Sequence, residues 1–223
     1  PGGREHHART NMAEWMGHLE GAEHRGMRGP VNTFFMPAMA QASEALLRVA
    51  IGEVVAEFKR KGGGDFLVDV GYAITAKVTD HLLGLDGTDH PDFRHAIERI
   101  MKTFDFNLTE EEWRLADEEA SALRTFWTER LRARIANPTG DDVMAQLIRS
   151  GLFDEHHLIL IAENILAAAS DTTANTSTNA LHLLLRNPDQ LALARKDPEA
   201  RARIPVQAMR LVSAAPTSGP EGA

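Results

Sequence analysis

Two clusters in this chain have residue types and spacing that chemistry can use. The first is the run Ser170-Asp171-Thr172-Thr173-Ala174-Asn175-Thr176-Ser177-Thr178-Asn179, with no Gly or Pro. Its neighbours are strongly apolar, and an ionised carboxylate placed among them has to be paired, hydrated or functional. The second is His24 and Arg28. A spacing of four puts both on one helix face, where they either grip an anion or face solvent. Other candidates are weaker. His6-His7 is a solvated terminal pair, and His90 and His95 lack partners at metal spacing, so both read as surface. Gly62-Gly63-Gly64 is a turn, because no Gly-Lys-Ser/Thr follows at phosphate-loop spacing. Cysteine is absent, which removes disulfides, thiolate metal sites and Cys nucleophiles from this chain.

The element that must position Asp171 is the stretch Phe153–Arg186. It carries Leu158-Ile159-Leu160-Ile161-Ala162, then Ile165 to Ala169, and later Ala180 to Leu185. These blocks leave little polar face, which predicts a helix buried on most sides. Asp154 is placed to cap it, with His157 where a capping box has Glu, and Asn187-Pro188 stops it. At 1.5 Å per residue it would be about 50 Å long. The polar middle leaves two readings open. One is a pair of helices joined by a polar loop near 171–179. The other is one helix locally distorted where hydroxyls bond back to the preceding turn.

The rest of the chain reads as helices. Met12, Trp15, Met16 and Leu19 stand at helical spacing. Residues 38–61 predict an amphipathic helix with Ala42, Leu46, Val49, Val54 and Phe58 inward. Asp65 caps a helix through Phe66, Val70, Ile74, Val78, Leu82 and Leu83, which Gly84 closes. Thr88-Asp89 opens another, with Phe93, Ile97, Ile100, Met101 and Phe104 inward. Thr109 and Glu112 form a capping box for a helix over 109–136. Its expected stripe is Leu115, Leu123, Phe126, Trp127, Leu131 and Ile135. A short helix over 141–148 follows, and the last candidate runs from Ile204 to Val212. No alternating strand pattern occurs. A hydrophobic share of 43% suffices for a core, and the net charge of −8 argues against nucleic acid or an anionic membrane as partner. No apolar run is long enough to span a bilayer, since Glu163 and Asn164 interrupt the best one, and cytoplasm is the default location.

Ala168-Ala169-Ser170-Asp171-Thr172-Thr173 resembles the oxygen-activation motif on the long central helix of the cytochromes P450, with Ala169 where that family usually has Gly. Further matches follow the family's order. Gly21-Ala22-Glu23-His24-Arg25-Gly26-Met27-Arg28 is similar to its His-x-x-x-Arg stretch. Gly64-Asp65-Phe66-Leu67-Val68-Asp69 with Leu82-Leu83-Gly84-Leu85, Asp141-Asp142 and Pro188-Asp189-Gln190 match as well. Gln207-Ala208-Met209-Arg210 stands where the family has Glu-x-x-Arg.

The resemblance implies an all-α chain, the helical portion of the P450 fold around one long helix, without the fold's sheet regions. Residues 1–20 form an N-terminal segment open to partial disorder, 21–213 an incomplete P450-like helical domain, and 214–223 a disordered tail. The implied activity is that of a soluble bacterial haem-thiolate monooxygenase, which inserts one oxygen atom from O2 into a small organic substrate. The implied cofactor is haem b, and the implied partners are that substrate and a ferredoxin-type redox protein. Asp171 and Thr172 would deliver protons during oxygen activation. Ala168 and Ala169 would flank the haem face, His24 and Arg28 would hold its propionates, and Gln207 and Arg210 would be structural. The family's Cys loop is missing from these residues, so this chain alone is expected not to catalyse. The alternative is a haem-less P450-like protein that binds or stabilises a partner. An incomplete block is also expected to leave Leu, Ile and Phe exposed near 158–185. One spectrum checks the cofactor expectation. Haem added to the chain and reduced under carbon monoxide should not give the red-shifted Soret band of thiolate ligation, because strong donation from an axial thiolate is what no residue here supplies.

Overall fold

The computed structural model describes residues 8, 12–85, 93–104 and 107–212. Those residues form nine α-helices and no strand. The helices are α1 (Gly21–Asn32), α2 (Pro37–Arg60), α3 (Ala73–Leu83), α4 (Phe93–Met101), α5 (Glu110–Ala136), α6 (Val143–Ser150), α7 (Glu155–Arg186), α8 (Pro188–Lys196) and α9 (Pro198–Leu211). A π-helical turn, Leu67–Tyr72, leads directly into α3. The all-α expectation holds among these residues. His6-His7, His90, Thr88-Asp89 and the tail 214–223 lie outside them, as do residues 1–7 and 9–11 of the N-terminal segment and the side chains of Ala42 and Phe104.

The chain divides into two compact units: Pro1–Leu47 with Val78–Ala167, and Arg48–Lys77 with Ala168–Ala223. The first holds the main core. Met12, Trp15 and Met16 are buried there with Ile97 and Ile100 of α4, Trp127 and Leu131 of α5, Met144 and Leu147 of α6, and residues 158–162 of α7. Phe93 stacks on Trp127 with ring centroids 6.2 Å apart, and Phe126 meets both edge-on. The stripe of α5 differs from the predicted one. Ala116, Ala120, Leu123, Trp127 and Leu131 are buried, whereas Ile135 is exposed. Small alanines allow close helix approach there, a feature that a scan for large apolar residues passes over.

One guanidinium ties three helix ends of this unit together. Arg134 donates to Leu83 O at the end of α3 (2.8 Å) and to Asp142 Oδ2 (2.6 Å), whose other oxygen caps α6 by accepting from Ala145 N (3.0 Å). Gly84, at φ +66°, lies where any Cβ would strike Arg134 and Asp142. Its place after α3 is therefore fixed by packing as well as by backbone conformation.

The second unit is thinly packed. Val54, Val70, Gly71, Thr75, Ala174, Ala194 and Ala208 are its buried positions among the described residues. Within α2, Leu46 and Val49 are exposed rather than inward, and only Val54 of the predicted stripe is buried. The expected apolar exposure is displaced too. Residues 158–162 are sealed in the first unit's core, whereas Leu185, Leu193, Val206, Met209 and Leu211 are exposed. A groove of about 440 Å³ runs among α7, α8 and α9, lined by Leu183, Leu184, Leu193, Ile204 and Leu211.

The caps obey local chemistry. Asp154 Oδ1 accepts from His157 N (2.9 Å) and from His157 Nδ1 (2.7 Å), so the aspartate caps the helix while the histidine donates to that cap instead of returning a bond to the Asp154 amide. Thr109 Oγ1 accepts from Glu112 N (3.2 Å), and Glu112 Oε2 accepts from Thr109 N (2.8 Å). The Thr109 amide, then its hydroxyl, hold the Glu112 carboxyl below its ordinary pKa. A carboxylate depressed in the folded state stabilises above its unfolded pKa, and that contribution disappears as pH falls through the lower folded value. Thr109→Ala should therefore cost about 1 kcal/mol near neutrality in denaturant titrations. Its gap to the unmodified chain should narrow as the pH falls below the ordinary carboxylate range.

Candidate functional site

The polar run that left two readings open is helical throughout, because α7 continues unbroken from Glu155 to Arg186. The loop reading is therefore wrong, and so is the distortion expected within this helix. The reason is visible in the hydroxyls. Thr172 Oγ1 donates to Ala168 O (2.7 Å), and Ser177 Oγ and Thr178 Oγ1 both donate to Ala174 O (2.8 and 2.9 Å). Each finds an acceptor in the preceding turn without breaking the ladder. The widened turn lies instead at Leu67–Tyr72. Nothing in the 65–83 pattern signalled it, since a π turn inserts one residue into an otherwise normal apolar series.

These two segments of the second unit meet. Gly71 packs so closely on α7 that a Cβ there would come within 3.3 Å of Ala174 Cα, Cβ and O. One residue further, the Tyr72 hydroxyl donates to Asp171 Oδ1 at 3.0 Å. Asp171 is half-buried, whereas Ala168 and Thr172, one turn apart on the same stripe, are exposed, with Ala169 half-buried. The result is a narrow face made of two alanine methyls and a hydroxyl, bordered by a carboxylate whose orientation is set from outside its own helix.

In the first unit His24 and Arg28 share a face of α1. His24 Nδ1 donates to Met16 O (2.9 Å), which fixes its tautomer, since a carbonyl can only accept. Arg28 is exposed and has no hydrogen-bond or ion-pair partner among the described residues. Gln207 and Arg210 sit one turn apart on α9, where Arg210 Nε donates to Gln207 Oε1 at 3.0 Å. Both are exposed, so this bond from a charged donor to an uncharged acceptor forms in water.

A residue read from the sequence only as an interruption is sealed in the core. Glu163 of α7 is 0% exposed. Its Oε2 accepts from Trp15 Nε1 (3.3 Å), and Arg124 Nε stands 3.4 Å from Oε1. Arg124 also reaches His156 Nδ1 (3.3 Å). Because arginine only donates, Nδ1 accepts, and His156 Nε2 carries the proton toward Glu14 Oε2 (3.0 Å). The distance from Trp15 to Glu163 along the chain hid this network.

With this geometry in view, comparison with known proteins gives a consistent result. The cytochrome P450 family model matches residues 75–199, more than half of the chain. The chain belongs to the cytochrome P450 family. It is 25% identical over 181 residues to cytochrome P450-SU2 of Streptomyces griseolus, covering 81% of this chain and 43% of that protein. It is 26% identical over 214 residues to 6-deoxyerythronolide B hydroxylase of Saccharopolyspora erythraea, covering 92% and 50%. Among solved structures, P450BioI bound to an acyl carrier protein carrying hexadec-9Z-enoic acid superposes with a TM-score of 0.85 at 17% identity, covering 92% of this chain and 53% of that one. At that identity the likeness establishes the fold alone. The chain spans about half the length of the curated relatives it matches. No helix among the described residues is long and apolar enough to cross a membrane.

The residues present can be tested against the haem that the family implies. An exposed, unpartnered Arg28 beside a tautomer-fixed His24 suits carboxylate side chains, and the alanine face of α7 suits a flat ring. Without cysteine, this chain offers no thiolate. The energetics of Glu163 give a separate prediction. Arg124→Met should destabilise by roughly 3 kcal/mol in urea titrations, because it leaves a buried charge uncompensated. The double variant Arg124→Met, Glu163→Leu should recover most of that loss.

Proposed function

We propose that this chain contributes the proton-handling helix and a propionate-binding helix of a haem monooxygenase that oxygenates a small organic substrate. The observation that carries the reading is the Asp171–Thr172 pair on an unbroken α7, beside the exposed Ala168 and half-buried Ala169. When bound through a thiolate, haem activates O2 for insertion into substrate. This chain's part is to bind, orient and move protons. Thr172 Oγ1, with its own proton engaged by Ala168 O, keeps its lone pairs as acceptors. Asp171 is the ionisable group one residue away, able to collect a proton from solvent and pass it to that hydroxyl. Arg28 supplies a fixed positive charge for a carboxylate. His24 can add a donor there through Nε2 only as the imidazolium, because Nδ1 is committed to Met16 O. Electrons come from a ferredoxin-type partner, and the location is the cytoplasm. Gln207 and Arg210 support α9 through a bond from the guanidinium to an uncharged amide oxygen.

Two measurements test this reading. Haem titration followed by absorbance should show about tenfold weaker binding for Arg28→Ala, the loss expected for one charge-assisted hydrogen bond. In the complete haem protein, Asp171→Asn and Thr172→Ala should each lower product formation by roughly a hundredfold, within the range for a positioned proton donor. Unchanged haem affinity in Arg28→Ala and undiminished product formation in the other two variants would overturn these residue roles. No haem binding by the unmodified chain would instead favour a haem-less binding role, the reading that Ala169 and Gln207 lean toward.

A further inference from the structure

The carboxylate proposed to handle protons does not stand alone. Its partner, Tyr72, lies outside the stretches that carry the family resemblance. Tyr72 is the last residue of the π-helical turn Leu67–Tyr72 and the chain's only tyrosine. Its hydroxyl donates to Asp171 Oδ1 at 3.0 Å, across 99 residues of sequence. Two features make this contact built rather than incidental. Gly71 allows the turn to press against Ala174 at a separation that any larger residue would widen. The widened turn also adds one residue just before Tyr72, rotating the ring relative to where an unbroken α-helix would carry it.

We propose that Tyr72 is the positioning residue for Asp171, selecting which carboxylate oxygen takes part in proton transfer. This rests on the reading that Asp171 handles protons. A half-buried aspartate without a partner turns about its last torsion, which is broad and roughly two-fold, so its two oxygens interchange. A phenol held on Oδ1 removes that freedom. Oδ2 is then the oxygen left to take a proton from solvent and release it toward Thr172 Oγ1, one residue along the same helix. In the cycle a proton is gained and lost at Oδ2. The phenol keeps its own proton, and no bond to Oδ1 forms or breaks.

Because the chain has one tyrosine, [ζ-13C]tyrosine gives a single NMR resonance that reports the phenol's hydrogen bond without requiring turnover. Asp171→Ala should shift that resonance by more than its linewidth, and Thr172→Ala should leave it in place. Alanine favours helix, so neither variant threatens α7. Gly71→Val should move the same resonance in the direction of Asp171→Ala, because it forces the turn away from Ala174. In the haem-loaded protein, Tyr72→Phe should lower kcat about tenfold with KM unchanged, and the solvent deuterium isotope effect on kcat should change as well. An unmoved tyrosine resonance in Asp171→Ala overturns the proposal, whatever the kinetics. A moved resonance with kcat unaffected in Tyr72→Phe but reduced in Asp171→Asn overturns the positioning role and leaves Asp171's proton role standing. A moved resonance with kcat unaffected in both variants overturns the proton role itself, and the proposal with it.

Discussion

A carboxylate enclosed by hydrocarbon must be matched by fixed donors, and Glu163 imposes that demand on the first unit. From two other segments, the Trp15 indole donates to Oε2 and the Arg124 guanidinium sets a positive charge 3.4 Å from Oε1. The N-terminal stretch and α5 are thereby held to one turn of α7, while Ile159, Ile161 and Ala162 around it supply the non-directional packing. Hydrophobic burial gives this unit its volume. The charge gives it a register, because a shift of even one residue along α7 would leave Glu163 without its donors.

In the second unit the balance differs. Few side chains are buried, and the exposed hydroxyls of α7 bond to the helix that carries them. A polar run can therefore stay helical without neighbours on every side. Asp171 of the same run bonds instead to another segment, through the Tyr72 hydroxyl.

Much of the fold was legible because it rests on local rules. The capping box of Thr109 and Glu112, the side-chain cap at Asp154, and the stop at Asn187-Pro188 are all decided within a few residues. The Asp171–Thr172 motif was legible for the same reason. What could not be read depends on distance or on a count of one. The Glu163 network joins residues far apart in sequence. The alanine stripe of α5 carries no large apolar signal. The π turn differs from an α-helix by a single residue, and the apolar series from Phe66 to Leu83 absorbs that difference without a visible break. The polar run misled in the opposite direction, since it suggested a break where the backbone has none.

The turn at Leu67–Tyr72 has a consequence for how this segment tolerates change. A helix with one inserted residue carries two phases, one on each side of the insertion, offset by about 100°. Gly71 and Tyr72 stand where the phases join. A substitution upstream alters one phase and leaves the other untouched. A one-residue deletion between 67 and 72 would merge the phases into a regular helix and turn every upstream side chain by about a quarter of a circle. The segment should therefore accept exchanges of residue far more readily than a change in residue number. Its length, more than its composition, is what keeps the phenol over Asp171.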